Sequence, residues 1–212
     1  MLQILKELIS PKFCIACNIP GSDVCTQCLE SWRPQSLRNI LGVPSVAVAE
    51  RAPQLIQAIS MWKDHGVRSH SSTFARLLLQ ALQQQTWWSK DFIVVSIPDK
   101  RTSIRRRGYS PMADVLRELN RRADTPQSSG EVTLQWTRKV HDQRHLTSQQ
   151  RINNVAGAIE ASVVGVRPIL VIDDVVTSGA TLRSAVTALQ DAGVSRVCAA
   201  TIVSSRSSKN WD

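Results

Sequence analysis

The 212-residue sequence predicts an α/β fold, a mostly parallel sheet flanked by helices, with a small four-cysteine knuckle at its N-terminal end. Three stretches carry that expectation. From Ile169 to Leu182 the chain reads ILVIDDVVTSGATL: four apolar residues, two carboxylates, a turn of small residues, then Leu182, Ala185, Val186 and Leu189 at helical spacing. That order is strand, loop, helix. A second unit begins at Phe92–Ile97, is stopped by Pro98, and resumes as a helix that Ser110 caps and Pro111 opens. The third stretch holds Cys14, Cys17, Cys25 and Cys28, two C-x-x-C pairs joined by a turn-rich linker containing Pro20 and Gly21.

Taken in order, Leu2, Leu5, Leu8 and Ile9 predict a short helix ended by Pro11. The cysteine pairs follow, and residues 1–32 form the knuckle with its helix while residues 33–212 form the main domain. From Trp32 to Pro53 the prolines and Gly42 break any long helix. Leu55, Ile56, Ile59 and Trp62 predict a helix ending near Lys63. Ser71 or Ser72 is expected to cap the next one, whose apolar face is Phe74, Leu77, Leu78, Ala81 and Leu82. After the Phe92 strand, Asp99–Gly108 reads as a basic loop, and Met112, Val115, Leu116 and Leu119 give the following helix its buried face. Asp124–Gly130 is a polar linker, and Val132, Leu134 and Trp136 alternate as a strand. Arg138–Arg151 has no apolar period and reads as a mobile loop. Gly193 ends the last helix, and Val197–Val203 is a final buried strand.

Composition bounds the function. No apolar run has the length of a membrane span, and the opening MLQILKELIS is too short and too charged for a signal peptide, so a cytoplasmic protein without membrane insertion is expected. In that setting paired cysteines indicate metal ligation rather than disulfides. Four thiolates complete a tetrahedral zinc site and leave no open position, which predicts a structural knuckle; buried, unligated cysteines are the alternative. Cys198, inside an apolar strand, reads as a small core residue. The net charge of +9 favours polyanionic partners, and equally a site for phosphate and pyrophosphate.

The chemistry converges on the strand-loop-helix unit of Ile169–Leu182. Thr177, Ser178, Gly179, Ala180 and Thr181 place backbone N–H groups and hydroxyls at a helix N-terminus, where the macrodipole also favours an anion. Phosphate is the expected guest. Asp173 and Asp174 repel phosphate and call instead for donors or cations, such as sugar hydroxyls or magnesium. Strand neighbours point to opposite faces, so both acids reach one ligand only if the strand ends between them, as is expected here. Arg105, Arg106 and Arg107 neutralise pyrophosphate, steer nucleic acid or face solvent, with position favouring pyrophosphate for Arg107. His141 and His145 lie in a loop, where their spacing carries no metal-binding meaning. Trp87 and Trp88 are read as core packing ahead of base stacking, and Arg183 either touches the phosphate or faces solvent.

The Ile169–Leu182 stretch resembles the phosphoribosyl pyrophosphate (PRPP) signature of type I phosphoribosyltransferases. With the two C-x-x-C pairs, Lys63, the step Arg107-Gly108-Tyr109 and Gln143, Leu146, Arg151, Asn154 and Val155, the whole chain resembles the ComF/GntX family. The resemblance implies a type I phosphoribosyltransferase-like fold behind a zinc knuckle, binding of PRPP with Mg²⁺, and an association with natural competence or DNA utilisation. It assigns Thr177–Thr181 to the 5′-phosphate, and Asp173 and Asp174 to the ribose hydroxyls. Lys63, Arg107 and Gly108 fall to the pyrophosphate side, and Arg138, Gln143 and Arg151 to a flexible closing loop. It departs at Tyr109, Ser110 and Pro111, where the family reads Phe-Asn-Gln. Two functions are implied: a phosphoribosyltransferase with an unnamed acceptor, or an accessory protein that binds nucleotide or PRPP and acts with single-stranded DNA and competence or recombination proteins.

Overall fold

Parallel pairing of distant segments builds the core. The computed structural model describes residues 12–40, 42–121, 131–138, 140, 150 and 154–205. The expected N-terminal helix, the 124–130 linker, and Gln143, Arg151, His141 and His145 lie outside the described residues. The five-stranded sheet runs in the order β1 (Gln35–Ile40), β2 (Val43–Glu50), β7 (Val197–Ser204), β6 (Ile169–Val176), β3 (Ile93–Ser96). Only β1 is antiparallel to its neighbour. The α/β expectation of a mostly parallel sheet flanked by helices holds.

Strand alternation sorts the side chains between two layers. Leu170, Ile172, Cys198, Ala200 and Ile202 face helices α2 (Pro53–Asp64), α3 (His70–Gln83) and α5 (Pro111–Asn120). Ile169, Val171, Val197 and Ala199 face α6 (Ala180–Asp191) and a separate antiparallel pair, β4 (Val132–Trp136) with β5 (Ile159–Val163). Cys14, Val24 and Trp32 of the cysteine segment, which ends in the short helix α1 (Thr26–Ser31), join the first layer. Cys198 is a core residue as expected, and burial pushes its thiol up to about 11 against the pull of Arg196.

Several elements differ from expectation. The Trp32–Pro53 stretch, whose sequence excludes only a long helix, forms the β1–β2 hairpin, and Pro44, which has no N–H to donate, sits where the β1 register slips between Leu37 and Ile40. Neither Ser71 nor Ser72 caps α3. Both lie inside it, and the buried Ser71 hydroxyl accepts the Trp62 indole N–H at 2.8 Å. The basic stretch after β3 is a helix, α4 (Arg101–Arg107), closed by Gly108 at φ 76°, whose N–H bonds the Ile104 carbonyl. Ser110 caps α5 as read, accepting the Ala113 N–H, with Pro111 in the first turn. Trp87 and Trp88 pack against Phe92 at the core margin, Trp88 stacked on its ring at 5.8 Å.

Candidate functional site

β6 leaves the sheet asymmetrically, and that asymmetry makes the site. On one side it stays paired with β7 as far as Val176 and Ser204; on the other, β3 stops at Ser96, and Pro98 turns the chain away. The strand therefore does not end between Asp173 and Asp174: it runs through both. Both acids nonetheless line one cavity of about 230 Å³, together with Lys63, Asp99, Arg107, Trp136 and Thr181. The missing β3 neighbour, not a strand end, leaves space for both carboxylates.

Beyond Val176 the chain bends through Thr177, Ser178 and Gly179 into α6. Gly179, the N-cap residue, has φ 72°, a left-handed conformation that a side chain would strain. The first turn of α6 contains no acidic residue, so its free N–H groups and dipole are left to an outside anion. Residues 177–181 line a recess of about 50 Å³, with Asp173 on its wall. Ser178 is buried, and its hydroxyl accepts the Ala180 N–H at 3.4 Å. Arg183 stands apart, lining a different cavity of about 210 Å³ on the outer side of α6 with Gly157 and Ile159.

Charge in the acidic cavity is tightly arranged. The Lys63 ammonium forms an ion pair with Asp174 Oδ2, while Asp174 Oδ1 accepts the Val175 N–H at 2.6 Å. Asp173 Oδ1 accepts the Asp174 N–H at 2.9 Å. Burial pushes the Asp173 carboxyl up to about 7; Lys63 opposes the rise and Asp99 adds to it. Burial likewise pulls Lys63 below the usual lysine range, against the charge of Asp173. Arg107 turns inward between Asp99 at 3.5 Å and Asp64 at 3.4 Å, whereas Arg105 and Arg106 are exposed. Asp99 is held in addition by the Ser110 hydroxyl at 2.6 Å.

The structure thus gathers Lys63, Arg107, Asp173, Asp174 and Thr181 around one cavity, with the rest of the 177–181 loop beside it. Gly108 caps α4 without lining either space, and Arg138 bonds the Ala156 carbonyl at 3.0 Å. Sequence reading missed Asp64, which receives both Arg106 and Arg107, and Trp136, whose indole N–H donates to the Pro98 carbonyl at 2.7 Å. Alternation identified Trp136 as a strand residue, but nothing local placed it at the site. Tyr109 donates its phenol O–H to the Trp62 carbonyl, one residue before Lys63. The phenol hydroxyl therefore has a structural task.

The four N-terminal thiols also converge. The sulfurs of Cys14, Cys17, Cys25 and Cys28 all lie within 4.8 Å of one another, and those of Cys17 and Cys25 are 3.6 Å apart. A tetrahedral zinc–thiolate site spaces its sulfurs by about 3.8 Å, so the donor set and its geometry fit zinc. Burial alone would raise the Cys14 thiol, but N–H groups of Cys25, Cys17 and Ala16 outweigh it and lower it to about 6. That favours a thiolate at Cys14, whereas in the metal-free cluster burial and the neighbouring thiols push Cys17 and Cys28 up. Magnesium is matched differently: Asp173 offers a hard oxygen, while both Asp174 oxygens are already engaged. These residues fit an ion held mainly by its ligand's own oxygens.

No curated protein matches the chain. Among solved structures it is similar to a hypoxanthine phosphoribosyltransferase from Staphylococcus aureus, with 17% identity over 65% of this chain and a TM-score of 0.33; the match spans 64% of that protein. The family model of the phosphoribosyl transferase domain matches residues 72–211, well over half of the chain, and includes both acids and the 177–181 loop. The chain belongs to the phosphoribosyl transferase domain family.

Proposed function

We propose that this protein binds PRPP with Mg²⁺ and transfers its phosphoribosyl group to an acceptor, as a ComF/GntX-type protein of the cytoplasm that serves DNA uptake or utilisation. One observation carries the reading. An acid-free helix N-terminus with a glycine-bent, hydroxyl-rich loop adjoins a cavity lined by the carboxylates Asp173 and Asp174 and by the cations Lys63 and Arg107. A ligand with phosphate at one end, hydroxyls in the middle and pyrophosphate at the other supplies a partner for each of these groups. Residues 177–181 would hold the 5′-phosphate, the acids would border the ribose, and Lys63 and Arg107 would face the pyrophosphate.

In the transfer, the bond from the anomeric carbon to pyrophosphate breaks and the electron pair leaves with pyrophosphate. The acceptor atom bonds the same carbon and gives up its proton to solvent. Fixed cations near the departing oxygens stabilise charge that grows only in the transition state. Magnesium, when bound, supplies further positive charge at that pyrophosphate. The knuckle, residues 1–32 with zinc on its four cysteines, would brace the domain formed by residues 33–212.

A second reading is PRPP binding without turnover, in an accessory protein acting with single-stranded DNA. The engagement of both Asp174 oxygens favours it, because that carboxylate is not free to take a proton. Incubation with PRPP, Mg²⁺ and candidate acceptors, followed by assay of released pyrophosphate, separates the two. Release abolished by Asp173→Ala supports transfer. PRPP binding with no release across purine, pyrimidine and nucleic-acid acceptors supports the accessory role.

A further inference from the structure

The cavity of about 210 Å³ on the outer side of α6 has no part in the phosphoribosyl site. Its two walls are the start of β5, with Gly157 and Ile159, and α6 itself, where Ala180, Ser184 and Ala188 recur every fourth residue and so share a face. Small side chains there leave the space open, and the lining is mostly apolar. It shares no residue with the acidic cavity and only Ala180 with the 177–181 recess. A guest here is held apart from the transfer chemistry.

Two polar groups of this lining are unmatched. Ser184 is 7% exposed, and its hydroxyl makes no hydrogen bond; Arg183 Nε is likewise buried without a partner. The other buried residues of α6 are Ala180, Leu182, Ala185, Val186 and Leu189, all apolar. A lone buried hydroxyl among them costs stability that an alanine would not. Arg183 is also poorly placed for the helix, since its cation stands in the first turn, at the positive end of the dipole. An anion beside it would offset that repulsion.

We propose that this cavity binds a small organic carboxylate, with the apolar body between α6 and the Gly157–Ile159 wall and the carboxylate received by Arg183 and the Ser184 hydroxyl. An apolar cavity of about 150 Å³ takes benzene, so this one holds a single ring together with its carboxylate. A planar guanidinium matches a carboxylate in shape as well as charge. Asp191, two turns along the same helix, repels the anion and so fixes which way round the guest lies. Inorganic phosphate is a poor guest, because one guanidinium and one hydroxyl among methyl groups leave most of its oxygens unsatisfied. The inference goes beyond PRPP binding and stands without it. Ala180, on the wall of both spaces, sets the guest beside the turn into α6, the position of an effector and not of a reactant.

Sodium benzoate, titrated into the whole protein and followed by amide chemical shifts, is the test. Saturable shifts are expected at Gly157, Ser184 and Ala188, with a Kd of about 1 mM, the scale for a ligand of about ten heavy atoms. Arg183→Gln should weaken binding about tenfold and Ser184→Ala about fivefold, for one charge-assisted and one neutral hydrogen bond. Benzyl alcohol, which has the ring without the charge, should bind about tenfold more weakly than benzoate. Free of ligand, Ser184→Ala should melt no lower than the parent, because no partner is lost. Inorganic phosphate should leave benzoate in place. Displacement by phosphate would put the guest in the 177–181 recess and overturn the assignment. So would equal binding of benzyl alcohol, unchanged affinity in Arg183→Gln, a lower melting temperature for Ser184→Ala, or no saturation by about 20 mM benzoate. Should Arg183→Gln fail to fold, benzoate against benzyl alcohol on the parent protein decides.

Discussion

Asp173 is the site acid whose proton binding folding changes. Burial raises its carboxyl to about 7 despite Lys63 nearby, so the folded protein holds this proton more tightly than the unfolded chain does. Its contribution to stability is complete below the unfolded value of about 4 and is lost as pH rises through about 7. Asp173→Asn mimics the protonated form. The ligand-free variant should therefore melt at a higher temperature than the parent at about pH 8 and at the same temperature at about pH 4, the sign that linkage demands. A variant less stable than the parent at the higher pH would contradict burial as the dominant cause. Tyr109 offers a second residue-level test. Removing its hydroxyl leaves the Trp62 carbonyl without that donor, so Tyr109→Phe should cost about 1 kcal/mol in denaturant unfolding. An unchanged midpoint would mean that α2 is not clamped there.

At the level of elements, the turn from β6 into α6 depends on one backbone conformation. Gly179 has φ 72°, and a β-carbon there costs about 1–2 kcal/mol in the left-handed region. Gly179→Ala should lose stability by that amount and weaken phosphate binding as the N–H groups lose alignment; inorganic phosphate titration against the parent checks it. The cysteine segment makes a separate prediction. Cys14, Val24 and Trp32 share a core with Leu55 and Trp62 of α2, so metal loss should be felt beyond the knuckle. Chelation should release about one zinc per chain and lower the melting temperature of the whole protein. Protein purified under reducing conditions without zinc or iron, yet equally stable, would refute the metal site.

For the whole molecule, the sequence was most informative where the signal is local. The apolar run, paired acids and Thr-Ser-Gly turn of residues 169–182 identified the strand, the loop and the helix because each depends on neighbours only. The two cysteine pairs were visible in the same way. What escaped depends on contacts between distant segments. β2 was hidden because its small residues Ala47 and Ala49 and its proline carry no strong strand signature; β7, far along the chain, supplies its ladder. α4 was hidden because its basic run contains a single large apolar residue, Ile104, and so shows no periodicity. The acids were expected to need a strand end because alternation sends them to opposite faces; the sheet met the same requirement by withdrawing β3 instead. The Lys63–Asp174 pair joins a helix to a strand across the core, and no spacing rule foretells it.

The proposed function places a phosphorylated sugar with its 5′-phosphate at the N-terminus of α6 and its ribose against Asp173. Crystals grown with PRPP and Mg²⁺ test this most directly. The expected result is a phosphate within hydrogen-bond reach of the backbone N–H groups of residues 178–181 and the pyrophosphate end directed towards Lys63 and Arg107. Ordered PRPP bound elsewhere on the protein, with the 177–181 recess left to solvent, would contradict it.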